Sequence, residues 1–175
     1  MNNTFGIPII PSDDNERVAT LHSYNILDTP PEWNFDNLVN VVAQCLNMPI
    51  AIISLVDKER VFFKARLGLE SKEDVPRGVS LCSLAILDTD ITIFEDALKE
   101  PCLLANPMVA GEFGLRFYAG APIINEDGYA IGTVCVIDKK PREFSEADQD
   151  LLTRFATATM NAITRRKEMM EAVHS

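Results

Sequence analysis

Cys82 is the side chain of this 175-residue sequence that is best suited to chemistry. It follows Ser80, a helix-capping residue type, and so falls in the first turn of a short helix predicted to run to Leu87. A helix dipole lowers the pKa of a thiol in that position and makes its thiolate available. A buried free cysteine more often behaves as a small apolar residue, and we favour this second interpretation of Cys82.

The remaining cysteines and histidines argue against several kinds of catalytic site. Cys45 and Cys135 lie in apolar helix and strand patterns, where they are predicted to be core residues, and no cysteines form a C-x-x-C pair. The histidines are His22 and His174, near opposite ends of the chain. A zinc site, a Ser/His/Asp triad or a Cys/His dyad needs histidine beside its partners. The sequence therefore predicts no metal site and no catalytic group of these kinds.

Four further polar residues are candidates for binding a small molecule: Asp96, Arg116, Tyr118 and Thr133. They lie in or beside predicted strands that flank a space left by small residues, and polar groups in such places orient ligands. A structural interpretation remains open. In it Asp96 caps an irregular segment, Arg116 pairs with Asp96, and Tyr118 packs by its ring.

A β-hairpin over residues 116–138 is predicted to position these groups. Asp127-Gly128 offers the positive φ of a tight turn, and the second arm is rich in β-branched residues. Both faces of that arm are apolar or small, which predicts a strand in the middle of a sheet, covered on both faces. Gly120 and Gly132 leave room for another backbone or a ligand. Pro122 cannot donate to a ladder and predicts a bulge.

The rest of the chain predicts an α+β fold with a mostly antiparallel sheet. Residues 1–11 form an extended N-terminal arm, and residues 12–170 form a single domain whose part 145–170 is a long C-terminal helix. Trp33 is predicted to pack at the start of the second helix. The other predicted elements are helices from Ser12 to Asn25 and from Pro31 to Leu46, strands over 50–56, 61–66 and 91–95, and a binding-type loop over 67–79.

The last helix carries an apolar stripe at Leu152, Phe155, Thr159, Ile163 and Met170, which continues beyond the length needed to cover a sheet. Such a stripe stays exposed unless a partner covers it, so a two-fold dimer through the terminal helices is predicted. On this interpretation Ile163→Glu gives a monomer with a folded sheet.

Charge and composition limit the partners and the location. The net charge of −10 is dispersed along the chain, which argues against nucleic acid or an anionic membrane as partner. No apolar run reaches the length of a membrane span and no signal peptide is evident, so a cytoplasmic location without membrane insertion is expected. Disulfides are not expected in that compartment.

An ordered series of short motifs resembles the GAF domains found ahead of bacterial sensor histidine kinases and diguanylate cyclases. The resemblance covers about residues 13–165 and rests on the whole series, since no single motif is specific. The motifs are Glu16-Arg17, Ile26-Leu27-Asp28-Thr29, Phe35-Asp36-Asn37-Leu38-Val39, Arg77-Gly78-Val79-Ser80-Leu81-Cys82, Asp96-Ala97, Asn106-Pro107, 116–122, 131–138 and Pro141-Arg142.

The resemblance implies a central sheet of five or six strands, terminal helices on one face and, on the other, a pocket roofed by short helices and loops. Many relatives have a histidine where this chain has Leu84, and bilin-binding members usually place one beside the chromophore. No histidine falls in the predicted pocket, so bilin and haem are not supported. The signature of cyclic-nucleotide-binding relatives is absent too, and the cofactor is unknown.

The resemblance further implies a non-catalytic sensory or regulatory domain of bacterial signal transduction. It would bind a small ligand, form a homodimer, and signal through its terminal helices to a kinase or cyclase output module in cis or in trans. One alternative is a free methionine-(R)-sulfoxide reductase with Cys82 and Cys102 as nucleophile and resolving cysteine, although their neighbours differ from that enzyme's pattern. The other is a purely structural dimerisation module.

Overall fold

One antiparallel sheet organises the residues that the computed structural model describes, which are 1–70 and 72–174. Its strands are β1 (Ile50–Val56), β2 (Arg60–Leu67), β3 (Asp74–Pro76), β4 (Thr92–Phe94), β5 (Phe117–Ile124) and β6 (Ala130–Asp138). They lie in the order β3-β2-β1-β6-β5-β4. The helices are α1 (Asp14–Ser23), α2 (Trp33–Leu46), α3 (Cys82–Ala85), α4 (Pro107–Ala110) and α5 (Glu146–His174). The predicted α+β fold with an antiparallel sheet is confirmed.

The two faces of the sheet are covered by different parts of the chain. Helices α1, α2 and α5 pack on one face, where Ile53 and Val136 belong to the larger apolar cluster. On the opposite face Ile52 lies with α3, α4 and the loops around them. The first eleven residues contain no helix or strand, yet Phe5 is buried in this second cluster. Each central strand therefore contacts a helical layer on one side and an irregular roof on the other.

The β5–β6 hairpin forms as predicted, but its bulge does not. Asn125 closes the turn by accepting hydrogen bonds at Oδ1 from the backbone N–H groups of Asp127 and Tyr129. The bulge lies at Ile131, because Ile123 is opposite Gly132 while Ile124 is opposite Ala130. Pro122 keeps its place in the ladder, and the predicted bulge there is wrong. Strand β4 pairs with β5 only as far as Gly120. Pro122 therefore lies where β5 is an edge of the sheet, and an edge strand tolerates proline.

Helix α2 begins at Trp33, two residues after the predicted start at Pro31. The intervening Glu32 is extended, with φ −128° and ψ 138°. Its carboxylate accepts hydrogen bonds from Lys64 at 2.5 Å and from Nε of Arg166 at 2.9 Å. These two partners hold Glu32 outside the helix, so the helix starts later. The same contacts join β2, α2 and α5 at one point.

Two predictions of burial on α2 are wrong. Trp33 is 75% exposed, because it lies at the helix start beside Glu32 and points away from the sheet. Cys45 is also exposed. The helix buries a stripe that does not include either residue, and its members are Phe35, Val39, Val42, Ala43 and Leu46.

A buried charged cluster anchors α1. Asp14 accepts hydrogen bonds from Nε of Arg17 at 3.0 Å and from Nη2 of Arg77 at 2.7 Å. Both guanidinium groups are fully buried, and Arg17 also donates to the carbonyl of Val56 at the end of β1. One carboxylate thus holds two arginines, and through them α1 is attached to the sheet and to the short 3-10 turn at 77–79.

Most of the apolar stripe of α5 is used within the chain. Leu152, Thr159 and Ile163 are at most 1% exposed and lie against the sheet and α2. Met170 is 37% exposed and Val173 is 79% exposed, so the stripe leaves the core near the end of the helix. Among the described residues, no helix combines the length and apolarity needed to cross a membrane.

Candidate functional site

A cavity of about 170 Å³ lies between the sheet and the roof, on the face away from α1, α2 and α5. It opens toward the surface at Glu70, which is exposed. Its walls are apolar apart from Glu70, Ser80 and the groups at its inner end. The lining residues are Ile52, Phe63, Leu69, Glu70, Val75, Val79, Ser80, Leu81, Cys82, Met108, Phe113, Leu115, Tyr118, Cys135 and Ile137.

Two thiols and a phenol meet at the inner end of this cavity. Sγ of Cys82 lies 4.0 Å from Sγ of Cys135 and accepts a hydrogen bond from the Tyr118 hydroxyl at 3.5 Å. The three residues come from α3, β6 and β5 respectively, and none is more than 4% exposed. Ser80 supports Cys82 from the preceding turn, since its Oγ accepts from the Cys82 backbone N–H at 3.2 Å.

The proton affinities of these groups are shifted in opposite directions. Hydrogen bonding with Cys135 lowers the pKa of Cys82, burial opposes this, and the hydroxyls of Ser54, Thr133 and Tyr118 reinforce the lowering. The same contact with Cys82, together with burial, raises the pKa of Cys135 well above its usual value. Burial raises the pKa of Tyr118 as well. These directions favour a proton on Tyr118 and Cys135 over one on Cys82.

The small residues of the hairpin make room for the protein itself. A Cβ added to Gly120 would lie 2.5 Å from the Tyr118 hydroxyl, so this glycine lets the phenol reach its place at the cavity end. A Cβ on Gly132 would lie 2.0 Å from the carbonyl oxygen of Ser54 on β1. The predicted space at these two glycines is thus filled by a side chain and a neighbouring backbone.

The five candidate binding residues fall into two groups. Cys82 and Tyr118 line the cavity, and Thr133 is buried on the same side of the sheet, bonded to Ser54 at 2.8 Å. Asp96 lies elsewhere and accepts from the Leu98 backbone N–H, capping a 3-10 turn.

Arg116 is placed by backbone groups rather than by Asp96. Its guanidinium donates to the carbonyls of Val109 and Leu115 and so fastens the segment that enters β5. Cys102, the expected resolving partner of Cys82, does not line the cavity. The thiol that contacts Cys82 is that of Cys135, for which the sequence predicted only a core position.

A larger concavity lies on the other side of the molecule. It is an open groove of about 940 Å³ between α5 and the β5–β6 turn. Its described lining includes Asp90, Glu126 and Glu168 with several threonines, and it brings no nucleophile or shifted group together. The smaller cavity is the better candidate site because its walls are apolar and it ends in interacting titratable groups.

Comparison with known proteins identifies the family. Residues 30–163 match the model of the GAF domain family, which is most of the chain. The chain belongs to the GAF domain family. Solved structures with this fold include the GAF domain of a phosphoenolpyruvate-protein phosphotransferase from Acinetobacter, which is 21% identical with a TM-score of 0.64 over 90% of this chain and 98% of that one.

Two further relatives differ in their described activities. A free methionine-R-sulfoxide reductase from Neisseria meningitidis is 18% identical, with a TM-score of 0.65 over 89% of this chain and 90% of that one, which shows a shared fold. A cyclic di-GMP phosphodiesterase of Pseudomonas aeruginosa is 35% identical over 157 residues, or 89% of this chain. The chain spans only 27% of the length of that protein.

Proposed function

We propose that this chain is a non-catalytic sensory domain that binds a small uncharged molecule in the cavity ending at Cys82 and Tyr118. The observation that carries the proposal is the apolar cavity on the sheet face opposite α5. GAF domains are a fold of signalling and ligand binding, which supports this use of the cavity. Occupancy would be reported by the terminal helices on the other face.

The size and polarity of the cavity indicate the ligand class. About 170 Å³ is close to the volume of an engineered apolar cavity, roughly 150 Å³, that accepts benzene. Glu70 is the charged residue among the described lining residues, and it lies at the mouth. The Tyr118 hydroxyl and the thiols supply polar contacts at the inner end. We therefore expect a molecule of about benzene size with one polar group.

The strands that floor the cavity also touch α5, which gives a route for the signal. Tyr118 and Cys135 face the cavity, while their neighbours Phe117 and Val136 face the helices. Phe117 packs on Phe144, just before α5, with ring centroids 5.5 Å apart. A ligand that favours one position of β5 over another shifts α5 by the difference in its affinity for the two states.

The phosphodiesterase relative supports a proposal about the output. That relative is more than three times as long as the segment that matches this chain, so it has room for a catalytic part outside the matched segment. We propose that this domain regulates an enzyme of cyclic di-GMP turnover, in cis or in trans, and that it acts as a homodimer through its terminal helices. A kinase output remains the alternative from the family resemblance.

Filling the cavity tests the proposed ligand site. In Met108→Trp the larger ring enters the cavity from α4, whereas in Leu104→Trp the ring replaces a half-exposed side chain that does not line it. We expect a small aromatic alcohol or amine from a metabolite set to stabilise the wild type and Leu104→Trp, but not Met108→Trp. At about 100 times its Kd, such a ligand adds ~2.7 kcal/mol of stability, which thermal unfolding resolves.

Native mass spectrometry of the freshly purified protein complements this experiment. A co-purified molecule that is present in Leu104→Trp and missing from Met108→Trp supports the cavity as its site. A ligand that binds Met108→Trp as well as the wild type would place binding elsewhere. An empty protein that no member of the set stabilises would favour the purely structural dimerisation module.

A further inference from the structure

The contact between Cys82 and Cys135 has a chemical meaning that small-ligand binding does not require. Their sulfur atoms are 4.0 Å apart, and both residues line the same cavity. Because a disulfide is about 2 Å long, the two sulfur atoms must approach by about 2 Å before they bond, through rotation of a side chain and a shift of α3. The other two cysteines lie outside this pair: Cys45 is exposed on α2, and Cys102 is half-buried in a 3-10 turn.

The surroundings of the pair favour reaction at one sulfur. The Tyr118 hydroxyl donates to Sγ of Cys82, and the Ser54–Thr133 hydroxyl pair lies on the same sheet face, two residues before Cys135 on β6. A thiolate that forms at Cys82 is stabilised by the hydrogen bond from the Tyr118 hydroxyl, and Cys135 lies beside it as the second thiol. A nucleophilic thiolate beside a protonated thiol is the arrangement of a reactive and a resolving cysteine.

We infer that Cys82 and Cys135 form an oxidisable dithiol site that takes small uncharged hydroperoxides. The apolar walls of the cavity admit a neutral oxidant, whereas Glu70 at the mouth disfavours anions. This inference is independent of the proposed ligand, since it needs only the two thiols and access to the cavity. It assigns a modification site, and no catalytic turnover is implied.

The oxidation proceeds in two balanced steps. The Cys82 thiolate attacks one oxygen of the hydroperoxide, so that an S–O bond forms, the O–O bond breaks, and the alcohol leaves after taking up a proton. Cys135 then attacks the sulfenic sulfur of Cys82, which forms the S–S bond and releases water with the Cys135 proton. Two thiols and one hydroperoxide become one disulfide, one alcohol and one water, and an external thiol reductant restores the pair.

The bond would tie the roof to the floor of the cavity. Cys82 is the first residue of α3, and Cys135 lies mid-strand in β6. Drawing their sulfurs together pulls α3 toward the sheet and removes the thiolate that accepts from Tyr118. The oxidised domain therefore has a smaller cavity with a free phenol at its inner end.

Oxidation of the whole chain by hydrogen peroxide, followed by peptide mass analysis, tests the inference. We expect a Cys82–Cys135 crosslinked peptide in the wild type and in the matched controls Cys45→Ser and Cys102→Ser. In Cys135→Ser we expect no crosslink and a dimedone adduct at Cys82, the mark of a trapped sulfenic acid. Cys135→Ala serves the same purpose if the serine variant does not fold.

Other outcomes overturn the inference. A crosslink between Cys82 and Cys102, or a dimedone adduct confined to Cys45, would show that the pair is not the reactive site. Turnover of methionine sulfoxide without oxidation of the pair by hydrogen peroxide would also overturn the inference and would favour a sulfoxide reductase. A Cys82 that resists oxidation in the folded wild type, while unfolded chains react, would show that the cavity does not admit the oxidant.

A Tyr118→Phe variant separates the role of the phenol from general reactivity. It removes one donor to the thiolate while keeping the ring. We expect the rate of Cys82 oxidation to fall several-fold at about pH 6, where the supply of thiolate limits it. At about pH 9 the rate should change little. A uniform change across this range would mean that Tyr118 acts only by shaping the cavity.

Discussion

A pair of hydroxyl groups lies beneath the thiols, between β1 and β6. Ser54 and Thr133 face each other across the strands and share a hydrogen bond of 2.8 Å, with both residues fully buried. Each of these buried hydroxyls thus has the other as a hydrogen-bond partner in the core. Thr133, a candidate for ligand binding by sequence, thus has a structural partner in addition to its place near Cys82.

Thr133→Val tests the hydroxyl pair at nearly constant volume. The change leaves the Ser54 hydroxyl buried without this partner, so we expect it to lower the free energy of unfolding by about 1–3 kcal/mol. Adding Ser54→Ala removes the orphaned group and should recover part of the loss. Urea unfolding measures both variants. Single losses that simply add in the double variant would show that the two hydroxyls do not depend on each other.

Sequence alone identified some of the site residues but not their partners. Cys82 and Tyr118 stood out by type and position, and the structure brings them together. The contact of Cys82 with Cys135 joins residues 53 positions apart and depends on how the roof packs on the sheet, which no local pattern encodes. The expected pairing of Arg116 with Asp96 does not form, because nearer backbone groups meet the hydrogen-bonding needs of each.

At the scale of elements, α1 is held by charge as much as by apolar contact. Burial raises the pKa of Asp14, but hydrogen bonds from Arg77 and the charge of Arg17 more than reverse this and leave it lowered. Nη2 of Arg17 and Nε of Arg77 are buried and have no hydrogen-bond partner among the residues that the structure describes. The two cations therefore depend on the single carboxylate of Asp14.

Asp14→Asn is expected to cost about 3–5 kcal/mol at neutral pH, because it leaves buried guanidinium groups without a counter-charge. Since the folded-state pKa of Asp14 is lowered, its contribution is complete above the unfolded value near 3.8 and is lost as pH falls through the folded value. The difference between wild type and variant should thus shrink in acid. Denaturant unfolding at neutral and acidic pH measures this, with exposed Asp13→Asn as control. Equal effects at position 13 and position 14 would contradict the prediction.

The start of α2 shows what local sequence rules miss at this scale. Pro31 is a favourable first residue for a helix, yet the helix starts at Trp33 because Glu32 is bound by Lys64 and Arg166. Lys64 and Arg166 lie 32 and 134 residues from Glu32 in the sequence. Tertiary contacts therefore overrode the local preference for proline at the first position of a helix. Strand pairing in both hairpins was predictable because each turn and its apolar arms are contiguous.

For the whole molecule, self-association remains a proposal, and the structure changes which residues test it. The expectation that Ile163→Glu leaves the sheet folded is wrong, since Ile163 is 1% exposed within one chain. A charge there is buried without a partner and should unfold the domain. The exposed apolar residues near the end of α5 are Met169, Met170 and Val173.

We expect the wild type to sediment as a dimer at micromolar concentration and Met169→Glu to shift toward monomer with unchanged circular dichroism. Ile163→Glu should lose its folded spectrum. Trp33 is the sole tryptophan and is exposed, so its fluorescence reports whether the dimer covers the start of α2 as well. A wild type that remains monomeric at that concentration would refute the dimer.

The long-range contacts of the N-terminal segment also set the order in which the chain can fold during synthesis. Thr4 receives a hydrogen bond from Asn106, 102 residues later, and Arg17 donates to the carbonyl of Ala130, 113 residues later. At about 5–20 residues per second, that partner is synthesised roughly 6 to 23 s after Arg17. These early residues are therefore synthesised well before the partners that hold them in their native places. In the meantime their apolar side chains remain open to chaperones.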